Sequence, residues 1–164
     1  MKNTTLCYLE KDEKYLMLHR VKEEGDVNRD KWIGVGGHFE EGESPYDCAI
    51  REVFEETGLA LAGASYRGVV TFVSDTWECE QMHLFTSRDF VGELCECSEG
   101  DLCWVAKSEV PSLPIWEGDA LFLRLLDEGR PFFSLKLTYR GDTLTSAVLD
   151  GIPLAQDAKG AFCL

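Results

Sequence analysis

The sequence predicts an α+β domain, a sandwich built on a mixed β-sheet. Three observations carry this. Two segments have the periodicity and end signals of helices, and about eight short runs read as strands, in mixed order with the helices. No linker, repeat or low-complexity tract divides the 164 residues, a length that suits one domain spanning 1–164.

Thr4–Leu9 and Tyr15–His19 read as two strands around the turn Lys11-Asp12-Glu13, a hairpin. Val21–Lys31 is a polar loop holding Gly25, Asp26 and Asn28, and Trp32–Val35 is a short strand running into Gly36-Gly37. Ser44 to Thr57 is a helix. Ser44 suits the N-cap, Pro45 the first turn, and Asp47 completes a capping-box-like S-x-x-D. Gly58 is placed to end it in a left-handed turn. Tyr66–Val73, Met82–Arg88 and Leu102–Ala106 follow as strands, and Ser108–Pro114 as a turn region. Ala120–Leu126 is the second helix, entered from Trp116-Glu117-Gly118-Asp119. Phe132–Tyr139 and Thr143–Asp150 alternate around Arg140-Gly141-Asp142, a last hairpin, after which Ala155–Leu164 is expected to fray.

Composition narrows the function. A hydrophobic content of 45% supports a real core, and the apolar runs are far shorter than a membrane span requires. The first residues have no sustained apolar stretch of the signal-peptide kind, so the expected setting is cytoplasmic, with the seven irregularly spaced cysteines reduced and structural. A net charge of −14 would repel long nucleic acid. It leaves room for a small phosphorylated anion, provided a divalent cation stands between anion and protein. The expected assembly is a monomer or homodimer.

The first helix concentrates the chemistry. At about 100° per residue, Tyr46, Ala49, Ile50, Val53 and Phe54 share one side, the face expected to pack inward. Glu52, Glu55 and Glu56 are spaced i, i+3, i+4 and share a neighbouring face. Like charges at that spacing destabilise a helix, and partial burial raises the cost. A hard divalent cation reverses the sign, because Mg2+ seeks carboxylate oxygens, waters and phosphates. Arg51 can reach Glu55 at i+4, and Gly36-Gly37 supplies backbone without side chains, suited to close approach of an ion or phosphate. Spacing alone is equally compatible with a solvated acidic face.

The full pattern is more specific. Gly37, five residues, Glu43, seven residues, then Arg51-Glu52-Val53-Phe54-Glu55-Glu56-Thr57-Gly58-Leu59 resembles the Nudix box, G-x5-E-x7-R-E-U-x-E-E-x-G-U with U aliphatic, at every defined position of residues 37–59. The resemblance implies an α/β/α sandwich with a mixed sheet and a loop–helix–loop catalytic motif. It implies hydrolysis of a nucleoside diphosphate linked to another group, with Mg2+ or Mn2+. By position, Glu52, Glu55 and Glu56 would be metal ligands with the Gly36 carbonyl. Glu43 and Arg51 would support them, and Glu52 would also be a candidate base.

A second resemblance, to the MutT-type oxidised-purine nucleoside triphosphatases, covers more of the chain. Trp32 lies four residues before the double glycine. Glu99 lies four residues before Cys103-Trp104, where such enzymes often carry a further acidic metal ligand. Trp116-Glu117-Gly118-Asp119 is similar to their W-x-x-D segment, in which the Trp stacks on a purine and the Asp reads its edge. Phe72 is a candidate pocket residue, and His38 and Arg20 are candidate phosphate contacts. The sequence departs from the human-type enzyme at Ile33, where that enzyme has Asn, and at Gly118, where it has a second acid. His38 also stands where a Lys often follows the double glycine. The implied reaction converts a purine nucleoside triphosphate such as 8-oxo-dGTP to its monophosphate and pyrophosphate. The rivals are hydrolysis of ADP-ribose, a dinucleotide or a nucleotide sugar, and non-catalytic nucleotide binding.

Overall fold

In the computed structural model, which describes residues 1–22 and 24–164, nine strands and two α-helices form a layered α/β/α structure. Glu23, within the expected loop Val21–Lys31, lies outside the described residues. Strand β1 (Lys2–Lys11) turns at Asp12-Glu13 into β2 (Lys14–Arg20), and both turn residues have positive φ, 51° and 58°. That is the backbone twist a two-residue hairpin needs. After β3 (Trp32–Ile33) comes α1 (Pro45–Thr57), then β4 (Ala60–Ser74), β5 (Glu80–Val91) and β6 (Gly100–Ala106). A short 3-10 turn at Val110–Ser112 leads to α2 (Glu117–Asp127), followed by β7 (Phe133–Arg140), β8 (Thr143–Leu149) and β9 (Ile152–Pro153).

The main sheet runs β1-β5-β4-β7-β8-β9. It is mixed, with β1/β5 and β4/β7 parallel and β5/β4, β7/β8 and β8/β9 antiparallel. A smaller antiparallel ladder places β2 between β3 and β6 and joins β1 at the hairpin end.

Side-chain alternation along β1 divides the interior. Leu6 and Tyr8 face one core, with Phe122, Leu125 and Leu126 of α2 and Phe133 and Leu135 of β7. Cys7 and Leu9 face the other, with Ala49 and Val53 of α1, Leu16, Val35 and Phe85. One helix covers each face. Burying side chains such as Val53 and Leu125 contributes roughly 1.5–3 kcal/mol each.

The end signals of α1 form as read. Ser44 Oγ accepts from the Asp47 N–H while the Asp47 carboxylate accepts from the Ser44 N–H, and Gly58 closes the helix at φ 75°. Its packing face, however, is rotated from the expected one. Cys48, Ala49, Val53, Glu56 and Thr57 are buried, whereas Tyr46, Ile50 and Phe54 are 42%, 47% and 58% exposed. The small Cys48 and Thr57 let the helix approach β1, and the Glu56 carboxylate turns inward toward a backbone amide. The last residues also differ from expectation. Gln156 bridges to Phe162, and Leu154, Phe162 and Leu164 pack against the larger core. Among the described residues, no helix is long and apolar enough to cross a membrane.

Candidate active site

The loop before α1 runs as an extra partner to β1. Cys7 N–H donates to the Val35 carbonyl at 2.6 Å, Val35 N–H returns to Cys7 at 3.0 Å, and Thr5 N–H donates to the Gly37 carbonyl at 2.9 Å. In extended backbone the polar groups alternate in direction. The Gly36 N–H therefore points away from β1 and donates to Glu56 Oε2 at 3.1 Å. A Cβ at Gly36 would lie 2.0 Å from the Thr5 carbonyl oxygen. At Gly37 it would lie 2.5 Å from both carboxylate oxygens of Glu52. The double glycine lets the backbone pass between β1 and two glutamates.

Arg51 organises the helix side. Its Nε and Nη2 grip Glu43 at 2.6 and 2.9 Å, its Nη1 donates to Glu52 at 2.8 Å and Glu55 at 3.2 Å, and Nη2 also reaches the His38 carbonyl at 3.0 Å. A planar fork is needed for so many directed bonds. The hydrogen bonds from Arg51 hold the Glu43 carboxyl down to about 2, and its carboxylate partners push the guanidinium further above its usual range. Glu56 behaves oppositely. It is 8% exposed, and burial pushes its carboxyl up to about 7, opposed by the Gly36 amide and reinforced by Glu52.

Among the described residues, no three acidic, histidine or cysteine side chains converge as a finished cation cage. Arg51 is the cation that Glu52 and Glu55 hold in this arrangement. The candidate donor set nevertheless fits a hard cation: its atoms are all oxygens, Arg51 engages one oxygen each of Glu52 and Glu55, and a positive charge nearby would favour the ionised form of the buried Glu56.

A cavity of about 490 Å3 starts at this loop, within the range of small-molecule sites. Gly36, Gly37, His38 and Glu99 line one end, and Phe72, Trp116, Asp119 and Tyr139 the other. Glu99 is ion-paired with Arg20, whose Nε also donates to Asp26 at 2.6 Å. Glu52, Glu55 and Glu56 are not in the wall, but Glu52 lies against Gly37 and Glu56 accepts from Gly36 in the loop that forms it.

At the far end, Trp116 is the N-cap residue of α2. Its indole N–H donates to Asn28 Oδ1 at 2.8 Å, its ring meets Tyr139 edge-on at 5.7 Å, and Lys31 Nζ lies 4.7 Å from its centroid. Phe72 is half-buried and packs on Tyr139 at 5.1 Å. Asp119 lies in the first turn of α2 but makes no side-chain cap bond. It is 7% exposed, and burial pushes its carboxyl up to about 8, against the pull of Lys31.

Among the wall residues that escape the sequence reading are Thr4, Asn28, Glu80 and Tyr139. Thr4 Oγ1 is buried without a hydrogen-bond partner among the described residues. Asn28 had a signal only as a polar loop residue. The other three sit in strands, where nothing local separates a cavity-facing side chain from a core one.

A family model described as the NUDIX domain matches residues 2–126. The uncharacterised Nudix hydrolase YvcI of Bacillus subtilis is 31% identical over 144 residues, 85% of this chain and 87% of that protein. The oxidized purine nucleoside triphosphate hydrolase of Danio rerio is 27% identical over 124 residues, 74% of this chain and 79% of its own. The crystal structure of a MutT protein from Bacillus halodurans superposes with a TM-score of 0.82 at 26% identity, covering 92% of this chain and 98% of the other. The match spans the loop, α1 and the entry to α2 that build the cavity, and the chain belongs to the Nudix hydrolase family.

Proposed function

We propose that this chain is a Mg2+- or Mn2+-dependent pyrophosphohydrolase of purine nucleoside triphosphates, with oxidised forms such as 8-oxo-dGTP among its substrates. One observation carries the reading: a single cavity joins the box loop, at Gly36, Gly37 and His38, to an aromatic and acidic end at Phe72, Trp116 and Asp119. A triphosphate and a base at opposite ends of one nucleotide match those two ends. The relatives named for oxidised purine triphosphates support the same choice.

In this reading Glu52, Glu55, Glu56 and Glu99, with the Gly36 carbonyl, hold the metal. A bound divalent cation would offset phosphate charge and make a water nucleophilic at neutral pH. Arg51 and Glu43 keep Glu52 oriented, and Glu52 takes the proton of the attacking water. His38 faces the phosphates, Trp116 stacks on the base and Asp119 hydrogen-bonds its edge. The localisation that fits is cytoplasmic.

The test is a Mg2+ assay of pyrophosphate and monophosphate release over dGTP, 8-oxo-dGTP, other dNTPs, ADP-ribose and a dinucleotide. A kcat/KM for 8-oxo-dGTP at least about tenfold above dGTP, about 1.4 kcal/mol, is expected. Trp116→Ala should raise KM for purine nucleotides. Preference for ADP-ribose or the dinucleotide would discard the purine pocket and keep the metal site.

A further inference from the structure

Of the five carboxylates that line the cavity among the described residues, Asp26 and Glu99 pair with Arg20 and Glu78 with Lys2, which leaves two from different elements. Asp119 comes from α2 and Glu80 from the first residue of β5, and both line the same wall as Trp116 and Tyr139. Glu80 is paired in register with Phe72 on β4 and with Lys2 on β1. Paired residues of neighbouring strands project to the same face, which puts Glu80 beside the proposed base site. The Lys2 ammonium goes to Glu78, at 3.3 Å. Among the described residues, neither Glu80 nor Asp119 receives a hydrogen bond on its carboxylate, yet each acts electrostatically within the pocket, Glu80 on Asp119 directly. Buried polar groups of a folded protein ordinarily have partners. Asp119 is buried and Glu80 half-buried on this wall, and a ligand there would supply the partner that each lacks.

Position 118 of α2 has little room for a side chain. A Cβ at Gly118 would lie 2.4 Å from Leu137 Cδ1 and 2.8 Å from the Tyr139 hydroxyl, which already accepts the Gly118 N–H. A second carboxylate reaches the cavity from β5, as Glu80.

We propose that Glu80 is a specificity-determining residue which, with Asp119, reads a purine edge that presents N–H donors beside a carbonyl acceptor. This rests on the purine reading above. The charge of Glu80 adds to the rise that burial causes at Asp119 and so favours the protonated form of Asp119. Burial raises both carboxyls, Asp119 to about 8, with Glu78 adding to the rise at Glu80 and Lys2 opposing it. Protonated Asp119 can donate to a base carbonyl, and ionised Glu80 can accept from ring and exocyclic N–H. Guanine carries the 2-amino donor and the O6 acceptor together; adenine has its amino group where guanine has O6, and hypoxanthine lacks the 2-amino group.

The experiment measures kcat/KM for dGTP, dITP and dATP with Mg2+ on the full chain, wild type against Glu80→Gln and Glu80→Asp. A second readout is calorimetric binding of dGMP in metal-free buffer. Glu80→Gln should lower kcat/KM for dGTP about tenfold through KM, reduce the dGTP/dITP ratio, and weaken dGMP binding in parallel. Glu80→Asp, which keeps the charge, should retain part of the preference. A wild type that prefers guanine nucleotides, with an unchanged dGTP/dITP ratio in Glu80→Gln, overturns the role of Glu80 and leaves the purine reading standing. A wild type that, with dCTP added to the same series, shows no preference for purine over pyrimidine nucleotides overturns both.

Discussion

At Gly36 an added Cβ meets the backbone carbonyl of Thr5 at 2.0 Å, whereas at Gly37 it meets the end of the Glu52 side chain at 2.5 Å. Backbone in a β-bridge cannot step aside, but a glutamate can rotate. Gly36→Ala should therefore lower stability by roughly 2 kcal/mol, a fall of about 5 °C in Tm by calorimetry. Gly37→Ala should keep the fold and displace the Glu52 carboxylate. Its Mg2+ activation curve should move to about tenfold higher metal, the size of effect expected for disturbed ligand support. The sequence pattern exposed both glycines and every box acid, because the box is contiguous and its spacing is fixed by one loop and one helix. It did not expose Glu80 or Tyr139. Their roles arise from strand register, which brings Phe72 opposite Glu80 across residues distant in the chain.

Helix α1 shows which element-scale signals can be read locally. Caps depend on neighbours in sequence, so Ser44, Asp47 and Gly58 behave as expected. The packing face depends on what the helix meets, and here small Cys48 and Thr57 and an inward Glu56 displace Tyr46, Ile50 and Phe54 to the surface. Strand lengths were short for a similar reason: β4 extends back to Ala60 only because Val91 of β5 is there to pair with it. Within α1, Arg51 links Glu43, Glu52, Glu55 and the His38 carbonyl. Arg51→Lys keeps the charge but loses the fork. It should cut kcat by about tenfold to a hundredfold in steady-state assays at saturating Mg2+, as loss of a ligand-orienting partner does.

At the scale of the molecule, Asp119 ties stability to pH. Its carboxyl rises from the ordinary 3.8 to about 8 in the folded chain, so the folded state holds a proton that the unfolded chain releases. The stability this gives is complete below about pH 4 and is lost as pH rises through about 8. Asp119→Asn has no proton to lose. Against wild type, its melting temperature should gain steadily between about pH 4 and 8 in a calorimetric pH series, and a parallel pair of curves would contradict the burial of this carboxyl. The chain carries a net charge of −14, and the substrate proposed for its cavity is a polyanion. The two facts agree when the nucleotide arrives as its metal complex, which brings compensating positive charge to the acidic loop.

The closure at Gly118 also bears on how such a pocket can change over generations. An aspartate at that position is one base change from two of the four glycine codons, yet it would collide with Leu137 and crowd the Tyr139 hydroxyl. Adjacent acids on α2 become accessible only after β7 has yielded room, so the substitutions are epistatic and their order is constrained. A lineage beginning from this chain would explore base preference through β5 and the loop around Asn28 before it could do so through the helix.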